Sequence, residues 1–128
     1  MEKPFRAEDR EAIRTLIALY AHLYDDGRID EFSKLFAEDA VMQLGPGGRL
    51  AEGPEDIRES LSKVDTRGLR HFTTDVIIEF TGDDRATATC RFGVHSPRAN
   101  FDGTYHDEFA NGPSGWRFTR RTISIFED

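Results

Sequence analysis

LIALYAHLYDDGRID, residues 16–30, reads as the last turns of a long amphipathic helix and its stop. Ile13, Leu16, Ile17, Tyr20 and Tyr24 follow the i, i+3, i+4, i+7, i+11 spacing of one helical face. Asp26-Gly27 is turn chemistry, because glycine accepts the left-handed conformation that ends a helix. Asp30 and Glu31 suit the start of a following helix, where the macrodipole favours anions. Asp25 has neither explanation. At a helix C-terminus its carboxylate meets partial negative charge, which costs about 0.3–1 kcal/mol at exposed sites. A partner elsewhere in the chain would account for it, and His71 is the candidate.

Working outward, the first helix begins near Ala7, where Glu8, Asp9 and Glu11 load the first turn with acid. Met1 to Arg6 is a tail that Pro4 keeps out of the helix. A second, short helix is expected from Ile29 to Ala37, with Ile29, Phe32, Leu35 and Phe36 facing the core. A strand from Ala40 to Leu44 follows and ends in the loop Gly45-Pro46-Gly47-Gly48. Gly53-Pro54 opens a third helix, since proline fits the first helical position. Ile57, Leu61 and Val64 mark its buried face, and it ends near Asp65 to Gly68.

The period then changes from helical to alternating. Strands are predicted over Leu69–Thr81, Arg85–Ser96, Gly103–Ala110 and Trp116–Phe126, with turns at Gly82-Asp83-Asp84 and at Asn111 to Gly115. In the second of these, Ala86, Ala88, Cys90, Phe92 and Val94 share one face. Three helices followed by antiparallel strands is an α+β pattern. We expect a curved, mostly antiparallel sheet wrapped around the first helix as a cone-like barrel, enclosing a pocket, with residues 1–128 forming one domain.

Composition narrows the function classes. The formal charge is −7, from 24 acids against 17 bases, which repels nucleic acid and anionic membrane surfaces. Arg117, Arg120 and Arg121 cluster on the last strand, and three arginines there read as a solvated face or as ion pairs. Cys90 is the single cysteine, so no intrachain disulfide forms, and a reducing, cytoplasmic setting is expected. No apolar run approaches the length of a membrane span, and no leader pattern precedes the first helix. Neither GxSxG, GxGxxG nor a P-loop is present. His106 beside Asp107 and Glu108 lacks any metal-ligand spacing, so neither metal nor cofactor is expected.

The order of these pieces resembles the SnoaL-like branch of the nuclear transport factor two-like superfamily. That branch includes polyketide cyclases, scytalone dehydratase, bile-acid dehydratases and hexachlorocyclohexane dehydrochlorinase. Tyr20-Ala21-His22-Leu23-Tyr24-Asp25 is like its tyrosine, four residues, aspartate pattern. Leu35-Phe36-Ala37-Glu38-Asp39-Ala40-Val41 resembles its entry to the first strand, and Gly53 with Ile57 the opening of its third helix. Arg70-His71-Phe72 and Gly115-Trp116-Arg117 resemble its histidine-led strand and its final strand.

The resemblance implies a histidine–aspartate pair that removes a proton from carbon while a leaving group departs from the neighbouring carbon. Asp25 and His71 occupy the matching positions. An imidazole with an ordinary pKa of about 6.5 suits a base at neutral pH. A carboxylate on its other nitrogen fixes the tautomer and stabilises the imidazolium. Strict alternation opposes this, since Phe72, Val76, Ile78 and Phe80 fall on one face and His71 on the other. A bulge or the sheet's curvature would turn His71 inward. Tyr20 and Tyr24 are read either as core aromatics or as hydrogen-bond donors to a substrate carbonyl or hydroxyl. His95, 24 residues after His71, is close to the spacing of two pocket histidines in scytalone dehydratase and is a substrate-binding candidate, although it shares a face with Thr87, Thr89 and Arg91. His22 is expected at the surface, and Cys90 as a buried filler.

Ketosteroid isomerase has the same fold, but its base is an aspartate on the first strand. Val41-Met42-Gln43-Leu44 holds no acid, so that mechanism is not expected here. The expected function is a cofactor-independent lyase or isomerase acting on a small, largely apolar, hydroxylated or carbonyl-bearing molecule. The alternative is a ligand-binding module without chemistry, or a companion like the small subunits of ring-hydroxylating dioxygenases, which share this fold. Self-association as a homodimer or homotrimer is expected from the resemblance.

Overall fold

The computed structural model describes residues 5–126, so residues 1–4 of the expected tail Met1–Arg6 lie outside them. Helix α1 (Ala7–Asp25) buries Ile13, Leu16, Ile17, Tyr20 and Leu23. It stops as the sequence suggests. Gly27 has φ 68°, its N–H donates to the Tyr24 carbonyl, and the Arg28 N–H donates to the Leu23 carbonyl. That pair of backward bonds satisfies carbonyls the helix end would otherwise leave open.

Helix α2 (Ile29–Ser33) is shorter than expected. Leu35 and Phe36 are still buried, but Phe36 already begins strand β1 (Phe36–Leu44) rather than continuing a helix. Tertiary pairing decides this boundary, because the Leu35 carbonyl accepts from the Phe118 N–H and Phe36 pairs with Phe118. Strand β2 (Arg49–Glu52) was not foreseen. Four residues with a charge at each end carry no readable period, and the strand exists through its pairing with β1. Helix α3 (Gly53–Ser62) buries Ile57 and Leu61, but it ends before Val64, which stays 37% exposed.

Strands β3 (Arg70–Gly82), β4 (Arg85–His95), β5 (Asn100–Gly112) and β6 (Gly115–Ile125) form a meander. The six strands run in the order β2-β1-β6-β5-β4-β3, antiparallel except for the β1–β6 pair. This is an α+β cone in which three helices pack on an open, curved, mostly antiparallel sheet. The face of β4 carrying Ala86, Ala88, Cys90, Phe92 and Val94 is buried throughout. Gly103 on β5 is required by that packing, since a Cβ there would fall 2.0 Å from the Ser124 carbonyl oxygen and 2.8 Å from the Phe92 ring.

Of the register shifts in the sheet, two re-aim a side chain of the site. Between Thr74 and Ile77, β3 advances three residues while β4 advances two, from Arg91 to Thr89. The extra residue sits at Asp75, with φ 57°. Before it, His71 pairs with buried Val94 and Thr73 with buried Phe92; after it, Ile78 pairs with buried Ala88. His71 and Ile78 therefore face the same interior although their numbers differ in parity. Between β5 and β6 the step from Phe109 to Glu108 matches the step from Phe118 to Arg120, which leaves Thr119 as the extra residue. That insertion carries Arg121 from the outer face to the inner one.

Candidate functional site

His71 lies on the first turn-in of β3, opposite the C-terminus of α1. Its ring Nδ1 is 2.6 Å from Asp25 Oδ1, and its backbone N–H donates to Asp25 Oδ2 at 2.8 Å. Both carboxylate oxygens are thus engaged by one residue, and the two side chains are 8% and 9% exposed. The N–H bond explains how an acid is held at the unfavourable end of the helix dipole. With Nδ1 as donor, Nε2 is left as the basic nitrogen, and among the described residues it has no hydrogen-bond partner.

Two tyrosines frame this pair. The Tyr24 ring centroid is 4.6 Å from that of His71, and the Tyr20 ring meets it edge-on at 6.1 Å. Burial raises the Tyr24 phenol above its ordinary value, with the Asp25 charge adding to the effect. Tyr20 is raised further by burial, with Arg121 opposing. Both phenols are therefore neutral donors at physiological pH.

For Arg121 the ion-pair alternative holds, but in the core. Far from a solvated face, it is fully buried, and its Nε and Nη2 donate to the two carboxylate oxygens of Asp107 at 2.7 and 2.8 Å. Its guanidinium carbon lies 3.7 Å from the Tyr105 ring centroid and 4.2 Å from that of Tyr20. Cation–π contact and a bidentate carboxylate together offset its desolvation. Burial pushes the Asp107 carboxyl above the ordinary range, opposed by the adjacent guanidinium; Arg121 remains charged because Asp107 outweighs the effect of its burial. Its third nitrogen, Nη1, is buried without a hydrogen-bond partner. One signal was available for Asp107, which shares parity with buried Tyr105 and Phe109. For Arg121 the bulge hides it. Arg120 instead pairs with exposed Glu108 at 3.2 Å.

Asp25, His71, Tyr20 and Tyr24 come together; His95 does not join them. It pairs with Arg70 across β3–β4 and stands on the outer sheet face, its ring edge-on to exposed Phe72 at 5.5 Å. The reason is plain alternation, since Val94 beside it points inward. A substrate-binding role alongside His71 is corrected accordingly. His106 also lies on the outer face, and among the described residues no cluster of three or more His, Cys, Asp or Glu could hold a metal. His22 is exposed, as expected, and lines a 480 Å³ cleft between the flank of α1 and the start of β3. Asp25 and His71 both line that cleft. No helix among the described residues is long and apolar enough to cross a membrane.

A three-helix, six-strand cone of this topology defines the NTF2-like class of small-molecule-binding folds. Within that class the chain belongs to the SnoaL-like domain family, whose pattern it matches over residues 6–122. An NTF2-like protein with a cystatin-like fold from Novosphingobium aromaticivorans is similar at 28% identity and a TM-score of 0.83, over 94% of this chain and 84% of that one. A scytalone dehydratase-like protein from the same organism is similar at 22% identity and TM-score 0.82, over 94% and 86%. Hexachlorocyclohexane dehydrochlorinase LinA-type3 from Novosphingobium barchaimii is similar at 17% identity and TM-score 0.84, over 95% and 89%. No protein of curated function matches the sequence. The two neighbours below a quarter identity establish the fold alone.

Proposed function

We propose that this protein is a cofactor-independent lyase or isomerase, in which His71 removes a proton from a carbon next to a carbonyl or a leaving group. The observation that carries the reading is the two-point grip of Asp25 on His71, which fixes the ring by Nδ1 and the backbone by its N–H and leaves Nε2 free. Asp25 orients the imidazole and stabilises the imidazolium once the proton is taken. The charge that develops on the substrate needs a donor in a water-poor site. Tyr20 supplies a neutral phenol, and Arg121 Nη1 supplies a buried, permanently charged N–H with no other partner. Activities named for the structural neighbours, a dehydratase-like protein and a dehydrochlorinase, both belong to eliminations that begin with such a proton transfer.

Hydrogen–deuterium exchange at carbon tests this without knowledge of the full reaction. A panel of cyclic ketones and hydroxylated bicyclic compounds is incubated with protein in D₂O and followed by NMR. Exchange at the position next to the carbonyl is expected with the wild type, falling by about two orders of magnitude or more in His71→Gln. Exchange that survives His71→Gln rules out the general base. Saturable binding without any exchange across the panel would favour the non-catalytic ligand-binding module, and co-purification with a larger oxygenase subunit the companion role.

A further inference from the structure

The interior beside His71 is occupied by the protein's own rings. Tyr20, Tyr105, Phe36 and Phe118 are all buried, and Tyr20 touches each of the other three. A molecule entering that interior must come through a wall that can move. One cleft is lined by the pair itself, and a second lies behind Tyr24. The one on the flank of α1 is lined by Asp25 and His71 themselves and by the charged groups of Asp26 and Arg70. The other, of 210 Å³, lies between α2, α3 and the β1–β2 hairpin, and none of its nine lining residues is charged.

Tyr24 is the wall shared by that second cleft and the His71 ring. One side of it packs 4.6 Å from His71, and it also lines the cleft with Phe32, Met42, Ile57 and Leu61. Tyr24 is only half-buried, whereas Tyr20 is 2% exposed. At the cleft's lip Leu50 is 49% exposed on the four-residue edge strand β2, an element held by few ladder contacts. We infer that this cleft is the port and resting site for the apolar ring of an uncharged substrate, and that Tyr24 is the partition whose side-chain rotation joins it to His71. Resting on the proposed proton abstraction, this assigns Tyr24 to gating and size selection and leaves donation to Tyr20 and Arg121. The volume suits a mono- or bicyclic molecule of about a dozen non-hydrogen atoms at ordinary packing density. Carboxylates and phosphates are disfavoured by a lining that offers them no charge.

Neutral 1-naphthol is the probe, with binding read by its fluorescence and position read by NMR of the His71 ring. Saturable binding is expected in the wild type. Ser60→Trp, an exposed α3 position at the cleft, should fill the cleft from its rim without touching the core and weaken binding about tenfold. Tyr24→Ala should admit the larger 1-pyrenol and let bound 1-naphthol shift the His71 ring resonances more than in the wild type. Tyr24→Leu serves if the alanine variant melts early, and the same shift is expected. The port is overturned if 1-naphthol shows no saturable binding, or binds Ser60→Trp as tightly as the wild type. The partition is overturned if opening position 24 leaves the His71 resonances unmoved by ligand. Failure here is distinct from failure of the general base, which is read by exchange in His71→Gln alone.

Discussion

Two acid–base pairs in this molecule look alike on paper and sit in different physical situations. Arg121 and Asp107 are fully buried, doubly bonded and walled by aromatic rings. His71 and Asp25 sit at the rim of the same cone, joined by one ring bond and one backbone bond, and both line a cleft. The guanidinium cannot give up its proton, so the first pair is a fixed charge. The imidazole can, so the second pair can change state. A fixed charge in the interior and a changeable one at its edge is the division that acid–base chemistry on a neutral molecule requires.

Removing one partner of the buried pair should have the largest effect. Asp107→Ala strands the Arg121 charge and is expected to cost about 3–5 kcal/mol in urea unfolding. Replacing both, as Asp107→Leu with Arg121→Met, should restore most of that stability while abolishing carbon-proton exchange. At the rim, Asp25→Asn should cost about 2 kcal/mol, because the amide oxygen still accepts one of the two bonds. A loss as large as that of Asp107→Ala would break the distinction drawn between the pairs.

Alkali probes the shell of the buried pair. Burial pushes the Cys90 thiol up to about 12 from 9.0, against a lowering by Arg121. Below pH 9 the thiol is protonated in both folded and unfolded chains, and its contribution is constant. Above 9 the unfolded thiol ionises while the folded one does not, so stability should fall by about 1.4 kcal/mol per pH unit from this group until pH reaches about 12. Tyr105 and Tyr20, raised in the same direction by burial, steepen the upper part of the limb. Thermal melts from pH 8 to 11 measure it, and a flat profile would mean that the shell is wetter than described. Smaller still, Asp75→Gly should gain about 1 kcal/mol by relieving a left-handed backbone. The exposed Arg28–Glu31 pair should contribute no more than about 0.5 kcal/mol when Glu31 is changed to Ala.

Most of the scaffold was legible because its signals are local and periodic. Helix α1, its glycine stop and the inward face of β4 need only neighbouring residues to be read. What escaped depends on contacts distant in sequence. Helix α2 ends early because Phe36 is taken into a ladder with Phe118, and β2 exists only through β1. In the site, Asp25 announced itself as an acid at the wrong end of a helix. The inward turn of His71 required an extra residue whose position nothing in RHFTTDVIIEF marks, since Asp75 takes a conformation more often given to glycine. Arg121 was hidden in the same way by Thr119, and without that bulge it reads as one of three surface arginines.

The single-residue bulges at Asp75 and Thr119 have a consequence for how such a protein diversifies. Losing Asp75 would exchange the faces of Arg70–Thr74, presenting Phe72 to the interior and His71 to solvent, with every other amino acid unchanged. Losing Thr119 would do the same to Arg121. A three-base deletion in the gene therefore acts on this scaffold as a toggle, switching an ionisable interior to an apolar one in one step. Gain and loss of chemistry along this lineage would then be recorded in gaps between aligned sequences as much as in substitutions.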